Sequence, residues 1–175
     1  MTRSRADVER ILRERAEALA EPVASAAPKA RVELLVLSFG AERYAIETVH
    51  VIEVMALRDL TPVPCTPAFV LGVLNYRGRL LTVLDVRRFF DLPGTGQPPG
   101  SRIVAVEAGG ITFGLFAEGV AGPVTVGADE MALPPVGARP DRRVLVRGVT
   151  EEMAAVLDLE GFARDPRITV SEEVG

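Results

Sequence analysis

The sequence of 175 residues is poor in the side chains on which much protein chemistry depends, with one histidine, one cysteine and no tryptophan. Because His50 and Cys65 are single, one chain can form neither an internal disulfide nor a zinc site of several cysteine and histidine ligands. It also lacks a run of 18 apolar residues and an apolar leader, so we expect no membrane span and no secretory signal. The expected location is the cytoplasm.

What the sequence does contain is enough apolar material for a packed core. Hydrophobic residues make up 48% of the chain and charged residues 25%, and the length allows one domain or two small ones. The formal net charge of −4 disfavours a dedicated nucleic-acid-binding protein. Residues 1–31 hold seven basic and five acidic side chains, so a basic arm precedes an acidic body.

The arm, residues 1–31, is predicted to contain a helix and a tether. Apolar residues repeat with a helical period over 4–20, and Pro22 marks the end of the pattern. The alanine- and proline-rich residues that follow, 21–30, are typical of a tether. The apolar stripe of the helix either docks on the same molecule or binds a partner, and both interpretations stay open.

From residue 32 onward the chain has the pattern of short strands and turns, and it contains an internal repeat. Residues 35–40 and 44–46 match residues 104–109 and 113–115 at an offset of 69. Further along, residues 72–73 and 83–89 match residues 148–149 and 156–162, at an offset of 73 in the later element. The repeated order of elements indicates two related β units of about seventy residues each.

Small units with four or five short strands usually close into barrels, because closure removes exposed edge strands. We therefore predict a mainly β fold of two barrels packed side by side, with a groove between them and a small core in each. The units span approximately 32–98 and 99–166, with exchange of strands between them allowed, and residues 167–175 form a tail.

Candidate catalytic residues are few. His50, expected on a strand over 49–52, and Cys65, expected in a turn, could form a base and nucleophile, but no third group is present to orient them. Asp85 and Asp158 end equivalent strands, so we interpret them as hydrogen-bond acceptors in turns. No glycine pattern typical of phosphate binding opens a helix. The sequence therefore predicts a protein that is not an enzyme and holds no cofactor or metal.

One segment, residues 61–90, stands out. Three prolines predict an extended loop that leads into a short apolar helix or strand over 69–74. The tight turn Asn75-Tyr76-Arg77-Gly78 follows and presents Arg77 at its tip, where a guanidinium can make bidentate contacts. The simpler alternative is a solvated arginine in a plain hairpin.

Binding of single-stranded nucleic acid is an alternative function for this segment. Such sites interleave stacking aromatic residues with basic ones. The basic residues would be Arg77, Arg79, Arg87 and Arg88. The barrel pattern is expected to bury the nearby Phe89 and Phe90, which weakens this alternative.

The body from Glu33 to about Pro166 resembles the CheW-type chemotaxis coupling proteins. The resemblance rests on the motifs LTPVP, TPAFV, GVLNYRG and LDVR, at residues 60–64, 66–70, 72–78 and 84–87. It implies two five-stranded, SH3-like barrels. It also implies a non-catalytic adaptor, at receptor arrays on the inner membrane, that joins the cytoplasmic tip of a methyl-accepting chemoreceptor to the regulatory domain of a CheA-type histidine kinase.

The resemblance further implies a receptor-binding groove between the barrels. It places Arg77 of the NxRG turn and Glu53 of the preceding strand near this groove, and we expect an ion pair between them that orients Arg77. The full set of candidate partner-binding residues is Val51, Glu53, Asn75, Arg77 and Gly78. Tyr76 stands where the family more often has an aliphatic residue.

Overall fold

The computed structural model describes residues 9–10, 13, 30–93, 96–134 and 145–168. Glu9, Arg10 and Arg13 are helical, while the rest of the helix predicted over 4–20 and the tether up to residue 29 lie outside the described residues. The chain divides into two units, Met1–Ala30 and Arg31–Gly175, and the fold described below is that of the second. No helix within the described ranges is long and apolar enough to cross a membrane.

The first half of the body contains five strands and one short helix. In chain order they are β1 (Arg31–Phe39), β2 (Glu42–Glu47), β3 (Val51–Ala56), β4 (Val70–Tyr76), β5 (Arg79–Leu84) and α1 (Val86–Phe89). A 3-10 helix, Thr48–His50, separates β2 from β3. The strand expected over 49–52 therefore begins only at Val51, because the 3-10 turn occupies the residues before it.

The second half repeats the same series of elements. It comprises β6 (Arg102–Ala108), β7 (Ile111–Ala117), β8 (Gly119–Gly127), β9 (Val146–Val149), β10 (Ala155–Leu157) and α2 (Leu159–Ala163), with a 3-10 helix, Ala128–Glu130, after β8. Asp85 accepts a hydrogen bond from the Arg87 amide at 2.9 Å, and Asp158 accepts one from the Gly161 amide at 3.1 Å. Both aspartates thus cap the helix that follows, which confirms their predicted role as acceptors.

The ten strands form two five-stranded mixed sheets. Sheet A has the order β8-β1-β2-β10-β9 and sheet B the order β3-β6-β7-β5-β4. Each sheet therefore combines the first hairpin of one half with the three later strands of the other half. Segments 32–98 and 99–166 do not form one sheet each, because the strands are exchanged reciprocally between them.

Within the described residues neither sheet closes into a complete barrel, so the prediction of two closed barrels is wrong. Among the residues described, the backbones of the outer parts of each sheet pair only at an isolated bridge, Thr61 with Val73 in sheet B and Ala132 with Val149 in sheet A. Pro62 and Pro64 follow the first of these pairs. Proline has no amide hydrogen, so it cannot extend the ladder that would complete the barrel.

The main hydrophobic core is shared between the sheets, which corrects the expectation of two separate cores. Phe39 of β1 packs on Phe116 of β7 with ring centroids 6.1 Å apart, and Phe89 of α1 meets Phe162 of α2 at 4.2 Å. The small helices therefore bring both sheets into one cluster. A second, much smaller cluster contains Leu34, Ala45, Ala154 and Val156.

A partly buried ion pair also joins the two sheets. The Arg87 side chain of α1 is 3% exposed and donates from Nη2 to Glu118 Oε1 at 3.3 Å. The other oxygen of Glu118 accepts a hydrogen bond from the amide of Gly40, in the β1–β2 turn, at 2.8 Å. The Arg87 guanidinium lies 4.6 Å from the centroid of the Phe39 ring. Removing one partner of a buried pair costs about 3–5 kcal/mol, because the other charge is left buried and unpaired.

Candidate functional site

The β4–β5 hairpin turns through two residues, Arg77 and Gly78. Their φ angles are 52° and 80°, as a hairpin turn of type I′ requires. The Asn75 side chain accepts a hydrogen bond from the Gly78 amide at 3.0 Å, and Tyr76 pairs with Arg79 across the hairpin. The structure therefore confirms the predicted tight turn with Arg77 at its tip, and it shows residues 70–76 as a strand.

Three side chains form what we call the Glu53 clasp: Glu53, Tyr76 and Arg77. Arg77 Nη2 donates to Glu53 Oε2 at 3.1 Å, and the Tyr76 hydroxyl donates to the same oxygen at 3.1 Å. The Arg77 guanidinium also lies 5.0 Å from the centroid of the Tyr76 ring. Because Glu53 belongs to β3 and Tyr76 to β4, the clasp connects the two edge strands of sheet B. The expected ion pair of Arg77 with Glu53 is thus present.

The clasp orients its members more than it stabilises the fold. The side chains of Arg77 and Glu53 are 68% and 44% exposed, and such exposed ion pairs contribute about 0–1 kcal/mol to folding. Partial desolvation and the hydrogen bond to Glu53 raise the pKa of the Tyr76 phenol, because both favour its neutral form. The phenol therefore stays a hydrogen-bond donor to Glu53 at neutral pH.

A groove of about 700 Å³ adjoins the clasp, and we call it the Arg77 groove. Its wall includes Ile52, Tyr76, Arg77, Arg79, Leu80 and Glu107. All of its lining residues belong to sheet B or to the turns of that sheet. The groove therefore lies at one end of sheet B, whereas the resemblance implied a groove between two barrels.

Val51, another candidate residue, lines a neighbouring cavity of about 420 Å³. That cavity also contains His50 and Glu160, and Glu160 lies in α2, the helix that follows sheet A. Ile52 and Glu107 line both spaces, so the two form one continuous surface. The structure thus brings Glu53, Asn75, Arg77 and Gly78 to the hairpin end of sheet B and places Val51 beside it.

Large apolar side chains are exposed along this surface. Leu80 is 76% exposed and Ile52 38% exposed at the Arg77 groove, and Val49 is 78% exposed at the neighbouring cavity. Exposed apolar residues grouped in this way are typical of surfaces that bind proteins, membranes or small ligands.

Tyr76, Arg79 and Leu80 were not predicted from the sequence as groove residues. A signal for two of them was available, since a two-residue turn at Arg77 and Gly78 places Tyr76 and Arg79 opposite each other. The exposure of Leu80 carried no comparable signal, because a leucine in a strand pattern is ordinarily buried.

His50 and Cys65, the candidates for a catalytic pair, form no hydrogen bond with each other. His50 Nδ1 lies 3.1 Å from the backbone oxygen of Glu107, and Cys65 is an exposed free thiol in the loop between β3 and β4. Within the described part of the chain, no group of three histidine, cysteine, aspartate or glutamate side chains is placed to hold a metal ion.

The nucleic-acid alternative gains no support from the geometry. Arg87 is buried in the pair with Glu118, and Arg88 Nε lies 3.6 Å from Asp85 Oδ2. Phe89 and Phe90 are 1% and 2% exposed, so neither ring is available to stack on a base.

Comparison with known proteins agrees with this architecture. The protein is 32% identical to protein FrzA of Myxococcus xanthus over 105 residues, which are 60% of this chain and 66% of FrzA. It is 24% identical to the chemotaxis protein CheW of Treponema pallidum over 59% of this chain and 63% of that one. The chain thus spans slightly under two thirds of the length of these two relatives. CheW of Klebsiella aerogenes is 23% identical over 81% of this chain and 87% of its own length.

A solved structure shows the same fold. The scaffolding protein TtCheW from Thermoanaerobacter tengcongensis superposes with a TM-score of 0.68 at 24% sequence identity, over 79% of this chain and 96% of TtCheW. A family model described as the CheW-like domain matches residues 33–167, which include both sheets, the clasp and the groove. The chain belongs to the CheW-like domain family.

Proposed function

We propose that this protein is a non-catalytic adaptor of chemotaxis-type signalling that couples methyl-accepting chemoreceptors to a CheA-type histidine kinase. The observation that carries the proposal is the Glu53 clasp beside an exposed, partly apolar groove, in a chain of the CheW-like domain family. The names of similar proteins, which refer to chemotaxis and to scaffolding, support it. In this role the protein works in the cytoplasm, at arrays of receptors.

The cytoplasmic tip of the receptor binds at the Arg77 groove and the adjoining cavity. Glu53 holds Arg77 in place, and the bond from Gly78 to Asn75 keeps the turn that presents it. Val51 extends the binding surface into the neighbouring cavity. Apolar contacts supply most of the affinity, and the oriented guanidinium adds specificity.

Charge reversal at the clasp tests the receptor site. In Arg77→Glu a second carboxylate faces Glu53, so the clasp opens while the exposed position leaves the fold intact. We expect pull-down of purified chemoreceptor cytoplasmic fragments to be lost and the circular dichroism spectrum to stay unchanged. Arg147→Glu is the matched control, because Arg147 also forms an ion pair with a glutamate, Glu47, but lines neither the Arg77 groove nor the adjoining cavity.

Full receptor binding by Arg77→Glu would contradict the assignment of this turn. The coupling role needs a second measurement, in which kinase and receptor fragments are mixed with and without the protein. We expect the kinase to sediment with the receptor only when the protein is present. Sedimentation that does not depend on it would contradict the adaptor role.

A further inference from the structure

Two opposite charges line the Arg77 groove without neutralising each other. Arg79 begins β5 and Glu107 lies near the end of β6, and both are exposed. Among the described residues, neither side chain takes part in a hydrogen bond or an ion pair. His50 lies close to Glu107, but it contacts only the backbone oxygen of that residue. Arg77 differs, because its charge is already offset by Glu53.

Apolar side chains accompany these two charges in the same groove. Ile52 and Leu80 are 38% and 76% exposed there, so a partner that covers them removes apolar surface from water. Charges at the rim of such an interface set the orientation and the choice of partner, because a wrongly charged partner leaves them repelled or unpaired.

We infer that Arg79 and Glu107 are the charges by which the groove selects its receptor segment. The bound segment presents a carboxylate to Arg79, a basic side chain to Glu107 and apolar side chains to Ile52 and Leu80. Arg77 contacts the receptor beside them, in the orientation that Glu53 gives to its guanidinium. This inference rests on the proposed function, since it names the chemistry of the receptor segment at that same site.

Charge-reversal variants test the inference by titration calorimetry with purified chemoreceptor cytoplasmic fragments. We expect Arg79→Glu and Glu107→Lys each to weaken binding roughly tenfold. The double variant keeps the net charge of the protein and reverses both charges of the groove. We expect it to bind at least as weakly as either single variant, because each charge contacts the receptor independently. Arg43→Glu, at an exposed position of β2 in sheet A, should bind like the wild type.

The outcomes separate the inference from the proposed function. Wild-type affinity in the double variant would show that Arg79 and Glu107 interact with each other and not with the receptor. This result would overturn the inference while the proposed function stands. Unchanged affinity in both single variants would overturn it in the same way. Failure of the wild type to bind any receptor fragment would overturn the proposed function itself, and the inference with it. Rescue of Arg79→Glu by a receptor fragment with one carboxylate changed to lysine would support the inference.

Discussion

At the scale of single residues, the informative feature is one carboxylate oxygen that accepts two hydrogen bonds. Glu53 Oε2 receives the Arg77 guanidinium and the Tyr76 hydroxyl, each at 3.1 Å. Glu53 and Arg77 have opposite effects on the acidity of the Tyr76 phenol. The negative charge of Glu53 raises the pKa of Tyr76, whereas the positive charge of Arg77 lowers it.

This opposition predicts changes of opposite sign in the titration of Tyr76. Glu53→Gln should lower the pKa of Tyr76 towards the ordinary tyrosine value of about 10, and Arg77→Gln should raise it above the wild-type value. Ultraviolet absorbance of the phenolate measures both in a Tyr44→Phe background, because the chain has only two tyrosines. Equal pKa values in the three proteins would show that the clasp does not form in solution.

The raised pKa also fixes how the clasp depends on pH. A phenol whose pKa is higher in the folded protein stabilises the fold fully below its unfolded pKa of about 10. This contribution is lost as the pH rises through the higher, folded pKa. At neutral pH the hydrogen bond from Tyr76 to Glu53 is therefore intact.

At the scale of elements, Gly72 decides how β4 approaches the loop that follows β3. A Cβ atom at Gly72 would lie 2.4 Å from the backbone oxygen of Thr61, and the φ angle there is 152°. Two backbone hydrogen bonds, both 2.8 Å, join Thr61 and Val73 beside it. Only glycine allows the two segments to pair this closely.

We therefore predict that Gly72→Ala destabilises the protein more than another glycine substitution does. Overpacking of this kind costs about 1–3 kcal/mol, and the strained φ adds to that cost. Gly40→Ala is the control, because Gly40 has a φ of 60° but no atom within 4 Å of the added Cβ. Its cost is about 1–2 kcal/mol from the backbone alone.

Thermal unfolding compares the two glycine variants. In a protein of this size, 1 kcal/mol corresponds to a change in Tm of about 2–4 °C. We expect Gly72→Ala to have the lower Tm, together with faster hydrogen exchange at the amides of Thr61 and Val73. Equal Tm values in the two variants would contradict the close approach at Gly72.

At the scale of the whole molecule, the two halves of the body depend on each other. The order β3-β6-β7-β5-β4 places the β6–β7 hairpin between strands of the first half, and in sheet A β1 and β2 lie between β8 and β10. The ion pair of Arg87 with Glu118 and the packing of Phe89 on Phe162 add side-chain contacts between the halves. Neither half therefore keeps a complete sheet when the other is removed.

We predict that fragments 1–98 and 99–175 do not fold separately and do fold when mixed. Alone, the first fragment keeps only hairpins and an unpaired β3, and isolated two-stranded hairpins are marginally stable at best. Circular dichroism with thermal unfolding should show a cooperative transition only for the equimolar mixture. A cooperative transition of either fragment alone would contradict the exchanged arrangement.

Much of the local structure follows from the sequence, and the tertiary structure alone decides how the local elements pair. The repeat at offsets of 69 and 73 is present in the sequence itself. The capping aspartates and the turn at Arg77 and Gly78 depend on contacts within a few residues, so the sequence by itself determined them. The resemblance to the CheW-type proteins supplied the pair of Arg77 with Glu53.

Strand pairing is a different matter, because equivalent strands of the two halves carry the same alternating pattern. Nothing in that pattern says whether the β1–β2 hairpin joins strands of its own half or of the other, and this choice depends on packing across the shared core. The same holds for Arg79, Leu80 and Glu107, which are separated along the chain and meet in one groove only because sheet B brings β5 and β6 to the same end. Sequence determined the strands, and tertiary packing decided their partners and the surface they form together.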